Sequence, residues 1–593
     1  MATFIRLVDY KNSELKEKEF FNKKNYSIAE SQNNFSNISG SPIVYWASQK
    51  ILELFRDSKP LSEQIETREG LTTGNNELFL RFWHEVSVAD IGFGISDNKV
   101  ALNSNKRWFP YVKGGDFRRW SGNFEYIVNW FDDGQELRLF KDADTERVRS
   151  HNYNGDYAFR TGFTWSGISS STFAVRHVPA GFMFDAKGPM GFSKAIDEQE
   201  IHEGLLNSTV TNHLLKMLAP TLDFKLGHIL NLPLNKSLPR EVKTICSKAI
   251  ALSFRDWNER ENSWDFTEPP LTGGDYLQRT LDVTYSRLRT HWCDMTQELQ
   301  HLERENNRIF IEAYCLLDEL KPDVPLSEIT LTCNPHYRYG SNKSEENLEA
   351  LLLTDTMKEL ISYSVGCMFG RYSLDKTGLI LANQGETLVD FKKIVPNSSF
   401  IPDDDNIIPI LDDEYFTDDI LGRFKEFLRI TFGADTLSEN LDFIAGALSK
   451  NTNESSEQIL RKYFLTEFYR DHCKMYKKRP IYWLFTSGKE KAFNALIYMH
   501  RYNKELLAKM RIDYLHELQS KLEAKKSTLK LDSKDTRERS HAQQELIKLN
   551  KQLDEIVSYD ELLKNMADQY IDIDLDDGVK VNYEKFKGLV AEV

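Results

Sequence analysis

A change of texture near Leu238 constrains this chain more than any other feature. From Leu61 to Leu234, short β-branched and aromatic runs are cut by glycine and turn residues, as in Phe159 to Trp165, Ser171 to His177 and Gly181 to Phe184. Such runs are too short for helices and read as strands of a mixed domain. Beyond Leu238 glycine thins, and apolar residues recur every three or four positions, the mark of amphipathic helices. The fold class expected is therefore α+β: a mixed short-strand domain over 41–238, then a largely helical region divided into a spacer over 239–400 and a C-terminal domain over 401–593. Length agrees, since 593 residues exceed what one ordinary core holds together.

Finer expectations follow from spacing. Residues 1–40 are polar and Asn-rich and read as a connector, and Ile43, Tyr45, Trp46, Ile51, Leu54 and Phe55 predict a short helix after it. Ile201, Leu205, Leu206, Val210, Leu214, Leu215 and Leu218 predict a helix near the end of the first domain, with His228 to Leu234 as a closing strand. Tyr276 to Tyr314 reads as one or two long helices. Leu507, Met510, Tyr514, Leu515, Leu518 and Leu522, then Leu546, Leu549, Leu553 and Ile556, give two heptad-like stripes around a polar break and predict a long antiparallel helical hairpin over about 490–566.

Charge is uneven. The net charge of -14 argues against a protein that coats nucleic acid, because phosphates are held by Lys and Arg. Ile401 to Ile420 carries eight carboxylates and no Lys or Arg, and is read as a solvated loop. Ala101 to Met190, by contrast, has 12 Lys plus Arg against 10 Asp plus Glu, so a DNA face is better sought there. No basic start leads into an apolar run, and no run of about 18 apolar residues occurs, which implies a soluble cytoplasmic protein with no membrane partner. The six cysteines are scattered without a C-x-x-C pair and read as reduced, mostly buried thiols, with no metal site among them.

Three strings invite a chemical reading and fail it. Asn334-Pro335-His336-Tyr337 resembles the Asn-Pro-Pro-Tyr loop with which amino-methyltransferases hold an extruded base, but His336 replaces the second proline. The upstream glycine-rich turn that must hold the cofactor is also missing, Gly92-Phe93-Gly94 being too distant and too weak. The string is read as a turn, and no catalytic residue is assigned. Asp572 to Gly578 begins like a calcium loop, yet Asp577 stands where glycine is required and Tyr583 where a bidentate Glu is required.

The better signals concern DNA. Lys113-Gly-Gly-Asp-Phe-Arg-Arg-Trp120 sets Arg118 and Arg119 beside an indole on a glycine-broken loop, where guanidinium forks can take phosphate or guanine edges. Arg160, Thr161, Trp165, Ser169, Ser170, Arg176 and His177 continue the pattern with hydroxyls suited to phosphates. Lys477, Lys478 and Arg479, next to Lys474 and flanked by Tyr476 and Tyr482, form a compact basic patch that suits the DNA backbone or a solvated helix end.

Several strings carry a resemblance. Glu66-Thr-Arg-Glu-Gly-Leu-Thr-Thr-Gly-Asn-Asn76 with Trp108 to Trp120 resembles the opening of the target-recognition domain of restriction-modification methyltransferases, and Leu205 to Leu234 resembles its close. Ser253 to Asn258, Ser263 to Phe266, Glu303 to Phe310, Ser364 to Ser373 and Ile573 to Tyr583 are similar to strings of PglX-type adenine-specific DNA methyltransferases of bacteriophage-exclusion (BREX) systems. The resemblance covers nearly the whole chain, in order. It implies that 41–238 is a target-recognition domain and that residues 1–40 connect to a missing methyltransferase domain. S-adenosylmethionine then belongs to the full-length enzyme and not to this chain, and double-stranded DNA and other BREX proteins are the partners. The chain alone is expected to be inactive. The rival expectation, which the acidic balance favours, is a protein-interaction scaffold of a phage-defence complex that does not touch DNA.

Overall fold

The computed structural model describes residues 3–5, 7, 10–22, 26–28, 38, 40–168, 172–219, 223–235, 238–451, 453–529 and 536–593. Short strands do fill the first domain. One sheet runs Arg176–Val178, Gly162–Thr164, Met190–Ser193, Ile65–Arg68, all antiparallel. A second runs Met183–Phe184, Trp108–Val112, Tyr126–Asn129, Leu80–Phe82, with the first pair parallel. Phe109, Tyr111, Val128 and Phe159 bury one face of the second sheet, and Val112, Phe124, Phe182 and Phe192 fill a separate core. Each such aromatic, fully buried, contributes about 1.5–3 kcal/mol, which is how strands of two to five residues hold together.

The domain closes on itself where Lys59–Pro60 pairs antiparallel with Pro233–Leu234. Only those last residues are strand. His228 to Leu230, expected as the start of the closing strand, belong instead to a short helix, Leu226–Leu230, which ends before Pro233. The helix expected over 201–218 is broken in two, Gln199–Leu206 and Thr209–Leu218, by Ser208, whose hydroxyl caps the second through the N–H of Thr211. The stretch expected as a connector contains regular elements among its described residues. It contributes the helix Ser13–Phe20, a strand Thr3–Ile5 paired with Tyr26–Ile28, and a Phe4 ring stacked on Tyr45 at 4.8 Å.

Past Leu238 the long helices Val242–Asn258, Leu281–Ala313 and Glu345–Met368 dominate, as the periodicity predicts. The C-terminal region is less purely helical than expected. At its centre lies a three-stranded antiparallel sheet, Ile408–Pro409, Asn494–Tyr498, Tyr482–Thr486, mostly apolar and buried on both faces and so hard to tell by period from a buried helix. The segment from 490 to 505 therefore belongs to that sheet and its exit. The paired helices start at Leu506: a helix with a π segment over Met510–Leu515 runs to Ser527 and lies antiparallel to Thr536–Ala567. Arg511 and His516 both bind Asp560, and Lys525 reaches Glu545 at 3.2 Å.

The acidic run is not a solvated loop. Asp419 is buried, caps the helix Ile420–Phe432 and takes both arms of Arg461 at 2.9 and 3.0 Å. Asp405 and Asp418 accept from the Tyr514 hydroxyl, and Asp412 holds Lys548 at 2.6 Å. Burial, with Asp405 beside it, pushes the Asp403 carboxyl up to about 8. Asp405, Asp412 and Asp418 thus fasten this segment to the helical pair and Asp419 fastens it to Arg461, while Asp404, Asp413 and Glu414 stay exposed. All six cysteines are free and four are buried. Among the described residues no helix is long and apolar enough to cross a membrane.

Candidate nucleic-acid interface

The residues singled out for DNA fall into two groups. Arg118, Arg119, Trp120, Trp165 and Arg176 are 6%, 5%, 1%, 0% and 2% exposed, so they face the interior and correct the expectation that they form a surface. Arg118 donates to Asp256 at 3.3 Å and to the Thr332 hydroxyl at 2.8 Å, with its guanidinium against the rings of Trp257 and Tyr337. Burial alone would raise the Asp256 carboxyl, but Arg118, Arg260 and the N–H groups of Thr332 and Cys333 hold it below its ordinary value. Arg119 bridges Glu303 at 2.8 Å and Glu328 at 2.7 Å, and the Trp120 indole donates to Glu303 at 2.8 Å. Trp165 donates to the carbonyl of Phe224. Arg176 sits beside Arg118, and burial pushes it down to about 10, with Nε and Nη2 lacking partners among the described residues.

Aromatic and guanidinium groups together are what an Arg-rich loop shows whether it grips a phosphate or an acid of its own fold. Here it is the latter: the loop from Lys113 to Trp120 ties the β-rich segment to Asp256, Glu303, Glu328 and Thr332 of the helical segment that follows. The Asn334 string belongs to the same joint. Asn334 is buried, its side chain capping the helix Pro335–Tyr339 and donating to the carbonyls of Leu326 and Ile329, while the Tyr337 hydroxyl donates to the carbonyl of Phe117 at 2.5 Å. Its amide is wholly committed to the fold, in line with the reading as a turn.

The second group is accessible. Arg160 is exposed with its guanidinium 4.7 Å from the centre of the Tyr157 ring, Thr161 is half-buried and donates to Val178, and His177 is half-buried against Glu203 at 2.9 Å. Burial disfavours the imidazolium of His177, but Glu203 outweighs it and holds the pKa above its ordinary value. Ser169 and Ser170 lie outside the described residues.

Lys113 and the patch from Lys474 to Arg479, far apart in sequence, meet. A cleft of 760 Å³ is lined by Lys113, Tyr126, Phe82, Lys477, Arg479 and Lys580, with Glu77, Glu85 and Glu584 at its base and rim. Lys477 also lines the neighbouring cavity of 590 Å³, with Arg470, Lys474, Lys478 and Lys491. The Lys113 amine lies 5.3 Å from the centre of the Tyr126 ring, which stacks on Phe82 at 4.7 Å. Lys477 and Lys478 both adopt left-handed backbone, in a turn pinned by the Lys478 N–H on the carbonyl of Cys473 at 2.7 Å. Lys477 is paired with Glu125, and Arg479 stands 3.8 Å from the buried Glu85. Among the described residues Lys113, Lys474 and Lys478 have no carboxylate partner. Three unpaired amines along a strip with aromatic rings between them form an arrangement that takes phosphates. Arg470, Lys491 and Lys580 were missed by sequence reasoning, since the fold alone brings them to these cavities.

No protein-family model matches the chain. Curated proteins do. Over 600 residues, 99% of this chain, it is 40% identical to "Adenine-specific methyltransferase PglX" of Lacticaseibacillus casei (strain Zhang), and over 607 residues, the whole chain, it is 38% identical to "Adenine-specific methyltransferase BrxX" of Escherichia coli O9:H4 (strain HS). Both relatives carry the name of an adenine-specific methyltransferase. The chain spans 48% of the length of each, about half.

The strings that resemble PglX fall on the joints of this fold. Asp256 and Glu303 hold the loop from Lys113 to Trp120. Arg371 is buried where three segments converge, donating to the Tyr498 hydroxyl at 2.7 Å and lying against the Trp83 ring. Asp576, from the string that begins like a calcium loop, accepts from the Trp108 indole at 2.6 Å and from Arg107 at 3.0 Å, while its carbonyl takes Arg81. The Asp576 carboxylate thus fastens the tail of the chain to the β-rich segment, while Asp572 pairs with Lys504 and Asp574 caps its own turn.

Proposed function

We propose that this chain is the DNA-recognition part of an S-adenosylmethionine-dependent adenine-N6 DNA methyltransferase that marks host DNA in a BREX-type phage defence, and that transfer chemistry and cofactor reside on polypeptide outside it. The observation that carries the reading is identity of 38–40% along the whole chain to PglX and BrxX, of which it spans about half. In this reading it is the C-terminal half, a cytoplasmic module with 41–238 as target-recognition domain, 239–400 as spacer and 401–593 as C-terminal domain. Its partners are duplex DNA, the methyltransferase domain and other BREX proteins. The strip of Lys113, Lys474, Lys477, Lys478 and Arg479 holds the phosphate backbone, and Arg160, Thr161 and His177 lie on a second accessible face.

The test is fluorescence anisotropy with a duplex at several salt concentrations, comparing wild type with the triple variant Lys113→Ala, Lys474→Ala, Lys478→Ala. Each phosphate contact contributes about 0.9 to the slope of log K against log salt, so loss of three contacts flattens it by about 2.7. An unchanged slope removes the strip from the DNA interface. Absence of any duplex binding by wild type favours the scaffold, a reading that the burial of Arg118, Arg119 and Arg176 and the net charge of -14 support.

A further inference from the structure

Strain and positive charge coincide at the cavity of 590 Å³ beside the basic patch. Lys477, Lys478 and Lys491, all on its wall, hold left-handed backbone at φ 50°, 62° and 51°. Such backbone strains any side chain but glycine, and a fold that keeps it at three lysines around one cavity keeps it for what the amines do there. Arg470 and Lys474 complete a rim of five cations, against the single carboxylate side chain of Glu592. Lys477 is engaged by Glu125, and Arg470 reaches Glu467 only at 3.5 Å. The Lys491 amine has a fixed place. It donates to the carbonyl of Leu465 at 2.8 Å, in the π segment Phe464–Phe468, a kind of turn that recurs at functional sites. No carboxylate pairs with that amine among the described residues, and burial holds it below its ordinary pKa.

The inner wall is a sheet face. Thr486 pairs directly with Asn494, and Leu484 lies two residues along the strand, so the three side chains share one face, and all three line the cavity. Leu484 and, from the π segment, Leu465 are half-buried and make this wall apolar. Asn494 is 2% exposed, yet its side-chain Oδ1 has no hydrogen-bond partner among the described residues. An unmet acceptor so deep is costly, and a ligand that donates to it removes the cost. The occupant is thereby narrowed. The rim suits phosphate, the apolar wall and the volume suit an organic body of small-ligand size, and Asn494 requires a donor on that body. Inorganic phosphate lacks the body, a fatty acyl anion lacks the donor, and a sugar phosphate lacks the apolar face. A nucleoside phosphate whose base carries an amino group supplies all three, as asparagine is suited to the amino edge of adenine.

We infer that this cavity binds a free nucleoside phosphate, with the base against the sheet face and the phosphates on Lys474, Lys478 and Lys491. The site goes beyond the DNA reading and does not depend on it. Isothermal titration of the full chain at one salt concentration compares ATP, adenosine and inorganic tripolyphosphate as probes. ATP is expected to bind saturably and at least about tenfold more tightly than either fragment. Lys478→Gly and Lys491→Gly each remove an amine where glycine is the unstrained residue. Each should weaken ATP by about fivefold or more while its urea midpoint stays within error of wild type or above it. Lys491→Gln, which removes the charge and keeps the length, gives the same loss of affinity if the glycine variant does not fold. Asn494→Leu should bring ATP down to the level of tripolyphosphate. Equal binding of ATP and tripolyphosphate reduces the cavity to an anion patch and overturns the inference, as does the absence of ATP binding or an ATP affinity unchanged in the lysine variants. None of these outcomes touches the duplex assay, by which the DNA reading stands or falls.

Discussion

Replacing Glu303 by Ala should unfold the joint between the β-rich domain and the spacer more than any surface change can. Its two oxygens serve two buried donors, Arg119 at 2.8 Å and the Trp120 indole at 2.8 Å, and the side chain is 4% exposed. Burial pushes the Glu303 carboxyl up, and Arg119 and Trp120 pull it back, so its ionised form depends on them. Stranding one partner of a buried ion pair costs about 3–5 kcal/mol, and an orphaned buried N–H about 1–3 kcal/mol more. Glu328, at 2.7 Å from Arg119 but with its side chain 36% exposed, remains to take part of the charge and offsets some of that loss. A net cost of about 4 kcal/mol is expected for Glu303→Ala and about 1 kcal/mol or less for Glu328→Ala. Urea unfolding followed by tryptophan fluorescence measures both. If the two variants lie within error of one another, the inward-facing network is not what holds Arg119, and its assignment away from DNA loses its basis.

Three further outcomes follow from the same structure. Gly578→Ala places a Cβ 2.5 Å from Nε of Arg81 at a left-handed backbone position, so it should cost about 2 kcal/mol and make the segment after Tyr570 more sensitive to limited proteolysis. Equal digestion rates would refute the clamp. For His177, the folded-state pKa stands above 6.5, so its contribution is fully present below that value and lost as pH rises through the folded pKa. The stability gap between wild type and His177→Gln should accordingly be larger at pH 6 than at pH 9, and a gap that widens with pH contradicts the Glu203 pairing. Asp403, raised to about 8 from 3.8, loses stability as pH climbs between those values, so Asp403→Asn should gain on wild type across that range, as thermal unfolding at pH 5 and pH 9 would reveal.

What was legible in the sequence was periodicity. The long helix Leu281–Ala313 follows from it, as does the succession of short strands. Periodicity could not distinguish Tyr482–Thr486 and Asn494–Tyr498 from helix, because a strand buried on both faces has no polar alternation to betray it. Side-chain destination was the other limit. Arg118 and Lys113 stand five residues apart in one loop, yet one meets Asp256 and the other solvent and Tyr126, and nothing local to the loop reveals that the carboxylate comes from another domain. The acidic run misled for the same reason, since Arg461, Tyr514 and Lys548 are distant in sequence. The accessible site was half legible: the patch around Lys477 was visible as a cluster, but that Arg470, Lys491 and Lys580 line the same cavities was not.

The clasp of Asp576 on Trp108 joins residues 468 positions apart, and synthesis runs in one direction. While a ribosome is still making the helices, the Trp108 indole and the second arm of Arg81 have no Asp576 to donate to, and the β-rich layer lacks its latch until residues near Asp576 emerge. A chain that ends before Asp576 is thereby expected to carry a looser β-rich layer, more open to proteases than that of the full chain.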